Sequence, residues 1–251
     1  MIPKIIHYCW FGKNPLPPLV EKCIASWKLY CPDYEIICWN EERYDIHQCE
    51  FTEQAYQAGK WAFVADYVRL DVLVKYGGIY LDTDVELLKP IDYLLTEVCF
   101  AGFESRDTVA TGVIGCEKGN PVIKSLLAQY EATTFMLDGK QIITTGPILF
   151  TQLLRTQGLR LTGRRQTVHE CTVYPCPVFY PTGIPWIIGH FPAKTISVHH
   201  YSDSWRHQPL SQERALKSRI RLSLVFLGRN VIGTSNMDAL GSRFRGIFHR
   251  R

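Results

Sequence analysis

The stretch from Trp61 to Glu86, WAFVADYVRLDVLVKYGGIYLDTDVE, constrains the fold of this chain more than any other part. Its first sixteen residues predict a helix, and the glycine pair Gly77-Gly78 predicts the end of that helix. The residues from Gly78 to Asp84 predict a short buried strand that ends on two carboxylates. The pattern therefore indicates an α/β protein in which a strand brings two aspartates to the ligand-binding edge of a sheet.

The two aspartates of this strand, Asp82 and Asp84, are two residues apart. Because residues two apart in a strand point to the same side, we expect their carboxylates to converge, with Thr83 turned away between them. Two adjacent carboxylates repel each other unless a cation neutralises them, and a divalent ion that bridges phosphate oxygens is the usual solution. A D-x-D sequence alone is also compatible with aspartates that only cap a turn.

The helix before this strand carries Asp66 and Arg69, three residues apart and therefore on one face. A guanidinium group matches the geometry of phosphate oxygens, and a carboxylate accepts hydrogen bonds from hydroxyl groups. The alternative is an exposed ion pair that contributes under about 0.5 kcal/mol.

The first forty residues predict a βαβ unit. Lys4 to Gly12 and Tyr34 to Trp39 read as strands, Glu21 to Leu29 reads as a helix between them, and strands joined in this way run parallel. Trp10 ends the first strand and Asn40 follows the second, at the edge where nucleotides bind. An aromatic ring stacks on a base for about 1–3 kcal/mol, and the alternative for Trp10 is a place in the core.

The second half of the chain predicts two further, antiparallel strands at Val98 to Phe103 and Val109 to Cys116. Helices are expected at Val122 to Tyr130 and, after a T-G-P element, through Leu154. The proline-rich residues from Glu170 to Pro185 predict a surface loop with an edge strand.

Composition is that of a soluble globular protein, with 46% hydrophobic and 21% charged residues. The sequence contains no run of about 18 apolar residues, so no transmembrane helix is expected. Proline, histidine and tryptophan interrupt the apolar N-terminus, which predicts a strand rather than a signal peptide. An odd number of cysteines, nine, without a C-x-x-C pair favours reduced thiols in the cytoplasm.

The charge distribution divides the chain into a domain of residues 1–212 and a basic tail of residues 213–251. The tail contains nine Lys or Arg and only two acidic residues, interleaved with apolar residues at helical spacing. Such a segment predicts binding to an anionic membrane surface, and a helix that packs on the domain is the alternative. No nucleic-acid-binding motif accompanies the charge, so we expect no nucleic-acid partner.

The pattern A-x-x-A-D-x-x-R from Ala62 to Arg69, followed by Y-G-G-I-Y-L-D-T-D, resembles the DXD-containing sugar-binding region of glycosyltransferase family thirty-two. More distantly it is similar to the large glucosylating toxins. The resemblance implies the GT-A type of α/β fold, with a mixed, mostly parallel central sheet flanked by helices. It also implies a glycosyltransferase that moves a sugar from a UDP- or GDP-sugar donor to a glycan or lipid-linked acceptor, with retention, in surface polysaccharide biosynthesis.

The resemblance further implies which residues form the site. Asp66, Arg69, Asp82 and Asp84 would be catalytic, and His199 or His200, from an H-H-x-x-x-S-W sequence, would join Asp84 and Asp82 in holding Mn²⁺ or Mg²⁺. Matches to the acceptor side are Thr111, Gly112 and Gly146. Donor-binding positions would be Cys9, Trp10, Asn40, Ala65, Asp66, Arg69, Tyr80, Asp82, Thr83, Ser204 and Trp205.

Two other functions are compatible with a D-x-D strand. One is a phosphatase-type hydrolase with Asp82 as its nucleophile, but the chain lacks the G-D-x-x-x-D or D-D sequence that such enzymes place downstream. The other is a catalytically inactive protein that binds nucleotide sugars. We expect an active transferase that is located in the cytoplasm or attached peripherally to the inner face of the membrane.

Overall fold

The computed structural model describes residues 1–137, 140–141, 145–181 and 190–202. The N-terminal part alternates strands and helices and includes two short 3₁₀ turns, at Ile46–Gln48 and Asp92–Thr96. Its elements are β1 (Ile5–Cys9), α1 (Pro18–Tyr30), β2 (Glu35–Trp39), α2 (Glu50–Gln57), α3 (Trp61–Tyr76), β3 (Gly78–Leu81) and β4 (Val85–Leu87). The later elements are β5 (Cys99–Gly102), β6 (Val113–Cys116), α4 (Pro121–Glu131), β7 (Met136–Leu137), β8 (Lys140–Gln141), α5 (Gly146–Thr156), β9 (Gln166–Val168), β10 (Cys171–Tyr174), α6 (Cys176–Phe179) and β11 (Ser197–His199).

Seven strands form the central sheet in the order β2-β1-β3-β6-β5-β10-β9. β1 is parallel to β2 and β3, β6 is antiparallel to β3 and β5, β10 is parallel to β5, and β9 is antiparallel to β10. Five strands therefore share one direction, and β6 and β9 run the opposite way. This mixed, mostly parallel sheet confirms the predicted α/β class.

Apolar residues cover both faces of the sheet. On one face, Val68 of α3, Leu126 of α4 and Phe150 of α5 belong to the same buried cluster. On the other face, Val20 and Trp27 of α1 are part of a second cluster. Helices thus flank the sheet on both sides, which leaves the edge formed by the C-terminal ends of the parallel strands open for a site.

Two glycines make the turn from α3 into β3. Gly77 and Gly78 have φ angles of 69° and 104°, which residues other than glycine rarely adopt. A Cβ atom at Gly78 would lie 2.8 Å from the backbone oxygen of Ile5 in the neighbouring strand. The chain therefore needs glycine here both to reverse direction and to approach β1 closely.

A buried histidine fastens this turn to the sheet. His7 of β1 donates from Nε2 to the backbone oxygen of Gly77 at 2.8 Å, and its Nδ1 accepts from the Trp39 indole at 3.1 Å. Burial lowers the pKa of His7 to about 4, so its imidazole is neutral at pH 7. His7 therefore joins β1, β2 and the end of α3 through neutral hydrogen bonds.

Helix boundaries agree well with the prediction, but two other predictions were wrong: the strand through Asp84 and the surface loop that begins at Glu170. The strand expected to run through Asp84 ends at Leu81, because the Val85 N–H bonds back to the Asp82 oxygen at 2.9 Å and turns the chain. Beyond that turn, β4 pairs with β11 in a separate two-stranded sheet. The two aspartates consequently lie in a turn and not side by side on one strand.

The described part of the segment expected to be a surface loop, residues 170–181, is largely buried. β10 lies inside the sheet, between β5 and β9, and Phe179 and Tyr180 behind it are almost fully buried. The prolines in this described part are half-buried or buried, and Pro177 lies at the start of the short helix α6. A Cβ atom at Gly102 would lie 2.6 Å from the Phe179 ring, so this segment packs directly on β5.

All nine cysteines are free thiols, and seven of them are buried. None of the helices in the described ranges has the length and hydropathy of a membrane span. The basic tail, residues 213–251, lies outside the described residues.

Candidate active site

The predicted donor residues begin at the edge where β1, β2 and β3 end. Trp10 follows β1, is half-buried against the cluster around α1, and donates from Nε1 to the Asn14 oxygen at 2.7 Å. Asn40 follows β2 and accepts from the Glu42 N–H at 3.2 Å. Both residues thus lie at the same edge as Asp82, which follows β3. Cys9 is buried one residue earlier, and burial raises the pKa of its thiol.

Arg69 of α3 is the centre of the site. Its NH1 donates to the Thr111 backbone and hydroxyl oxygens at 2.8 and 3.2 Å, and its Nε to the Ala65 oxygen at 3.2 Å. NH2 lies 3.0 Å from the Asp66 carboxylate and 3.3 Å from that of Asp82. Every guanidinium nitrogen has a protein partner, so Arg69 ties two acidic residues to one loop. Its contact with a diphosphate stays a prediction.

Asp66 and Arg69 form the predicted i, i+3 pair, but Arg69 is buried and Asp66 is half-buried, so the pair is not an exposed surface ion pair. The Asp66 carboxylate also accepts from the backbone N–H of Gly146, the first residue of α5. Burial raises the pKa of Asp66 to about 6, and the Arg69 charge opposes that rise. The carboxylate therefore links α3 to the N-terminus of α5.

Asp82 lies against glycine and tyrosine. Its backbone N–H donates to the Gly112 oxygen at 2.8 Å, and its carboxylate accepts from the Tyr80 hydroxyl at 3.2 Å. A Cβ atom at Gly112 would lie 2.6 Å from Asp82 Oδ2, so only glycine leaves room for this carboxylate. The Arg69 guanidinium lies 4.7 Å from the centre of the Tyr80 ring. Arg69 and Tyr80 together fix the position of Asp82.

Asp84 has a different set of partners. Its Oδ1 lies 2.9 Å from His199 Nε2, and its Oδ2 accepts from the Ser202 N–H at 2.8 Å and the Ser202 hydroxyl at 3.0 Å. Burial alone would raise the pKa of Asp84, but the His199 charge and these bonds hold it well below its usual range. Burial would likewise lower the pKa of His199, yet Asp84 raises it to about 9. Thr83 is buried between the two aspartates.

The two adjacent histidines point to different carboxylates. The His200 ring lies 2.9 Å from Glu86 Oε2, which also binds Lys22 at 2.8 Å. Neighbouring residues at a strand end face opposite sides, which separates the two rings. His199 is therefore the histidine that shares a site with Asp84.

The chemistry of this edge suits a hard divalent cation. Asp84, Asp82 and His199 offer carboxylate oxygens and an imidazole nitrogen, the ligand types that Mn²⁺ and Mg²⁺ accept. His199 Nδ1 is buried and lacks a hydrogen-bond partner among the described residues. Within the ranges that the structure describes, however, no three His, Cys, Asp or Glu side chains are grouped to hold a metal ion. Here the Asp84–His199 pair is an ion pair.

The three positions predicted on the acceptor side lie close to the acidic residues. Thr111 binds Arg69, Gly112 lies against Asp82, and the N–H of Gly146 binds Asp66. The structure thus brings these small residues into the wall of the same site.

Sequence reasoning missed several residues of the site. Ser202 bonds to Asp84 through backbone and hydroxyl, Glu86 holds His200, and the buried ring of Tyr130 reaches the region of Asp66 from α4. The sequence gives no signal for these residues, since Ser202 occupies an unspecified position of the H-H-x-x-x-S-W pattern. Two predicted donor residues, Ser204 and Trp205, lie outside the described residues.

Residues 17–101 match a family model described as a glycosyltransferase sugar-binding region containing a DXD motif. This part of the chain is similar to a glycosyltransferase sugar-binding region. This match confirms the resemblance stated from the sequence, and it includes Asp66, Arg69, Asp82 and Asp84. His199 and Ser202 lie beyond the matched residues and enter the site through β11 and the segment after it.

Two curated yeast proteins are similar to this chain. Inositol phosphoceramide mannosyltransferase 3 of Schizosaccharomyces pombe is 33% identical over 49% of this chain and 35% of its own length. Mannosyl phosphorylinositol ceramide synthase CSH1 of Saccharomyces cerevisiae is 31% identical over 60% of this chain and 42% of its own length. The chain therefore spans less than half of each of these relatives.

Among solved structures, the PaToxG glycosyltransferase is similar to 62% of this chain, with 21% sequence identity and a TM-score of 0.46. That similarity covers 70% of the PaToxG chain. The mixed seven-stranded sheet agrees with the mixed, mostly parallel central sheet that the resemblance implied.

Proposed function

We propose that this protein is a metal-dependent glycosyltransferase that takes a sugar from a nucleotide-sugar donor, UDP- or GDP-linked, to an acceptor hydroxyl. One observation carries the proposal: the two aspartates of the DXD motif have separate partners at one sheet edge. Asp82 is fixed by Arg69 and Tyr80, and Asp84 is fixed by His199 and Ser202. Such a division suits one aspartate for the sugar and the other for the diphosphate.

In this proposal the residues at this sheet edge bind different parts of the donor. Trp10 and Asn40, at the ends of β1 and β2, receive the base, and Asp66 and Asp82 accept hydrogen bonds from sugar hydroxyls. Arg69 holds both carboxylates in place and carries a positive charge near the departing diphosphate. Preorganised charges of this kind stabilise a transition state without rearrangement.

Asp84 and His199, with Asp82, would hold Mn²⁺ or Mg²⁺. When bound, the ion supplies positive charge that neutralises the leaving nucleoside diphosphate. The pKa of His199 is raised to about 9, so this histidine has to release a proton before it can serve as a ligand. Ser202 bonds to Asp84 and keeps that carboxylate in place for this exchange.

We further propose a glycan or lipid-linked acceptor, transfer with retention of configuration, and a role in surface polysaccharide biosynthesis. The names of the two yeast relatives refer to mannosyl transfer and to inositol phosphoceramide, which supports the lipid-linked choice. We place the protein in the cytoplasm, on the inner face of a membrane, where residues 213–251 would contact anionic lipids. The basic composition of that tail supports this location.

A thermal-shift panel of nucleoside diphosphates and nucleotide sugars, with and without Mn²⁺, tests the proposal. We expect UDP or GDP to stabilise the wild-type protein only with metal, and Asp84→Asn to abolish that shift. Asp71→Asn is the matched control, because Asp71 is a buried aspartate of α3 that binds Tyr44 and Lys75 outside the site. That variant should lose stability but keep its metal-dependent nucleotide shift.

The same proteins, assayed for products, separate the alternatives. A transferase releases nucleoside diphosphate only when metal and sugar donor are present, whereas a phosphatase releases inorganic phosphate. A protein that binds nucleotide but releases neither product is an inactive binding protein, and that result would contradict the proposed activity.

A further inference from the structure

Three side-chain oxygens meet around the first residue of α5. A Cβ atom at Gly146 would lie 3.1 Å from Thr111 Oγ1, 3.2 Å from Asp66 Oδ1 and 3.2 Å from the Tyr130 hydroxyl oxygen. Thr111 and Asp66 are already joined through Arg69. The Tyr130 hydroxyl is thus the third polar group at this point, and neither the sequence pattern nor the matched family region includes it.

The Tyr130 hydroxyl is buried without a hydrogen-bond partner among the described residues. The residue is 1% exposed, and its ring packs edge-on against Phe51 with centroids 5.1 Å apart, so the ring is held in place. Burying a hydroxyl without a partner costs free energy, and such a group in a folded protein calls for an explanation. The nearby Asp66 carboxylate offers one.

We propose that Tyr130 is a positioning residue of the sugar pocket, whose hydroxyl donates a hydrogen bond to Asp66 when a sugar engages that carboxylate. This inference rests on the proposed function and assigns Tyr130 to it. Tyr130 does not touch the sugar; it acts through Asp66.

The remaining hydrogen-bonding capacity of Asp66 makes this possible. An ionised carboxylate accepts about four hydrogen bonds, and Asp66 accepts from Arg69 NH2 and from the Gly146 N–H. One position remains for a sugar hydroxyl and one for Tyr130. A hydrogen bond from the rigid ring of Tyr130 would fix the rotation of the Asp66 carboxylate. Because this bond forms only in the sugar-bound state, only that state recovers the free energy that burial of the Tyr130 hydroxyl costs.

Tyr130→Phe tests the inference, with Tyr44→Phe as its matched control. Both are buried tyrosines close to an aspartate of α3, but the Tyr44 hydroxyl already donates to Asp71 at 2.6 Å. We expect Tyr130→Phe to keep or raise the melting temperature and to raise KM for the nucleotide sugar by roughly three- to tenfold. Its affinity for the nucleoside diphosphate without sugar should be unchanged.

The control should show the opposite pattern. Tyr44→Phe removes a formed hydrogen bond far from the sugar, so its melting temperature should fall while KM for the donor stays at the wild-type value. A Tyr130→Phe protein with wild-type kinetics, or one that only loses stability, overturns the inference, and a buried water would then satisfy the hydroxyl. If the wild-type protein itself transfers no sugar, the proposed function fails, and the inference with it.

Discussion

Two histidines with little solvent exposure, His7 in β1 and His199 in β11, differ in their partners and in their place in the fold. His7 lies in the middle of the sheet between a backbone oxygen and an indole N–H, with no carboxylate as a hydrogen-bond partner. His199 lies at the ligand-binding edge, 2.9 Å from Asp84. Burial lowers the pKa of His7 to about 4, whereas Asp84 raises that of His199 to about 9.

The difference teaches that the partner and not the depth decides what a buried histidine does. A neutral imidazole with one donor and one acceptor satisfied joins structural elements. A charged imidazole beside a buried carboxylate is a group that exchanges its proton for another cation. The first is part of the scaffold, and the second is part of the site.

The largest effect should come from breaking the scaffold histidine. His7→Leu leaves the Gly77 carbonyl and the Trp39 indole buried without partners, and we expect a loss of about 2–4 kcal/mol in the free energy of unfolding at pH 7.5. Urea denaturation measures this loss. The activity per folded molecule should be unchanged, because the two ring nitrogens of His7 bond to Gly77 and Trp39 and not to a site residue.

The pH dependence sharpens this expectation. Between pH 6.5 and about 4 the unfolded chain protonates His7 and the folded chain does not, so wild-type stability should fall as the pH falls through this window. His7→Leu should lack that part of the slope. An equal slope in both proteins would show that His7 is protonated in the folded state and would contradict its scaffold role.

A smaller effect is expected from the site histidine. The folded-state pKa of His199 is raised, so its pairing with Asp84 stabilises the metal-free protein fully below pH 6.5 and is lost as the pH rises through about 9. His199→Gln should be less stable than wild type by roughly 2 kcal/mol at pH 6.5. The two unfolding free energies should converge by pH 9.5.

The nine thiols are common to both proteins, so their ionisation cancels in the difference between the two curves. A gap that persists at pH 9.5 would mean that packing, and not charge, accounts for the effect of the substitution. That result would place His199 with His7 among the scaffold residues.

The sequence predicted the elements that local residues specify, but not the features that depend on residues far away in the chain. Helix α3 was predicted over its full length, because helix formers and a glycine pair specify both of its ends locally. The βαβ unit was predicted for the same reason. The direction of Asp82 and Asp84 was predicted wrongly, because the turn at Asp82 depends on the pairing of β4 with β11, more than one hundred residues away.

Residue spacing predicted some contacts of the site and not others. Spacing placed Asp66 and Arg69 on one face of α3, and the structure confirms that pairing. Spacing did not distinguish His199 from His200, because the choice depends on which carboxylate each ring meets across the β4–β11 pair. Tyr130 reaches Asp66 from a helix whose sequence shows only an apolar face, so tertiary packing alone reveals it.

The most direct test of the account is a calorimetric titration of Mn²⁺ into the protein with UDP or GDP present. It is performed at pH 7.5 in two buffers of different ionisation enthalpy. We expect metal binding to release close to one proton, because His199 carries a proton at this pH and has to lose it to bind metal. Asp84→Asn and His199→Gln should bind weakly and release none. Tight Mn²⁺ binding without proton release, equal in all three proteins, would contradict the assignment of Asp84 and His199 to the metal.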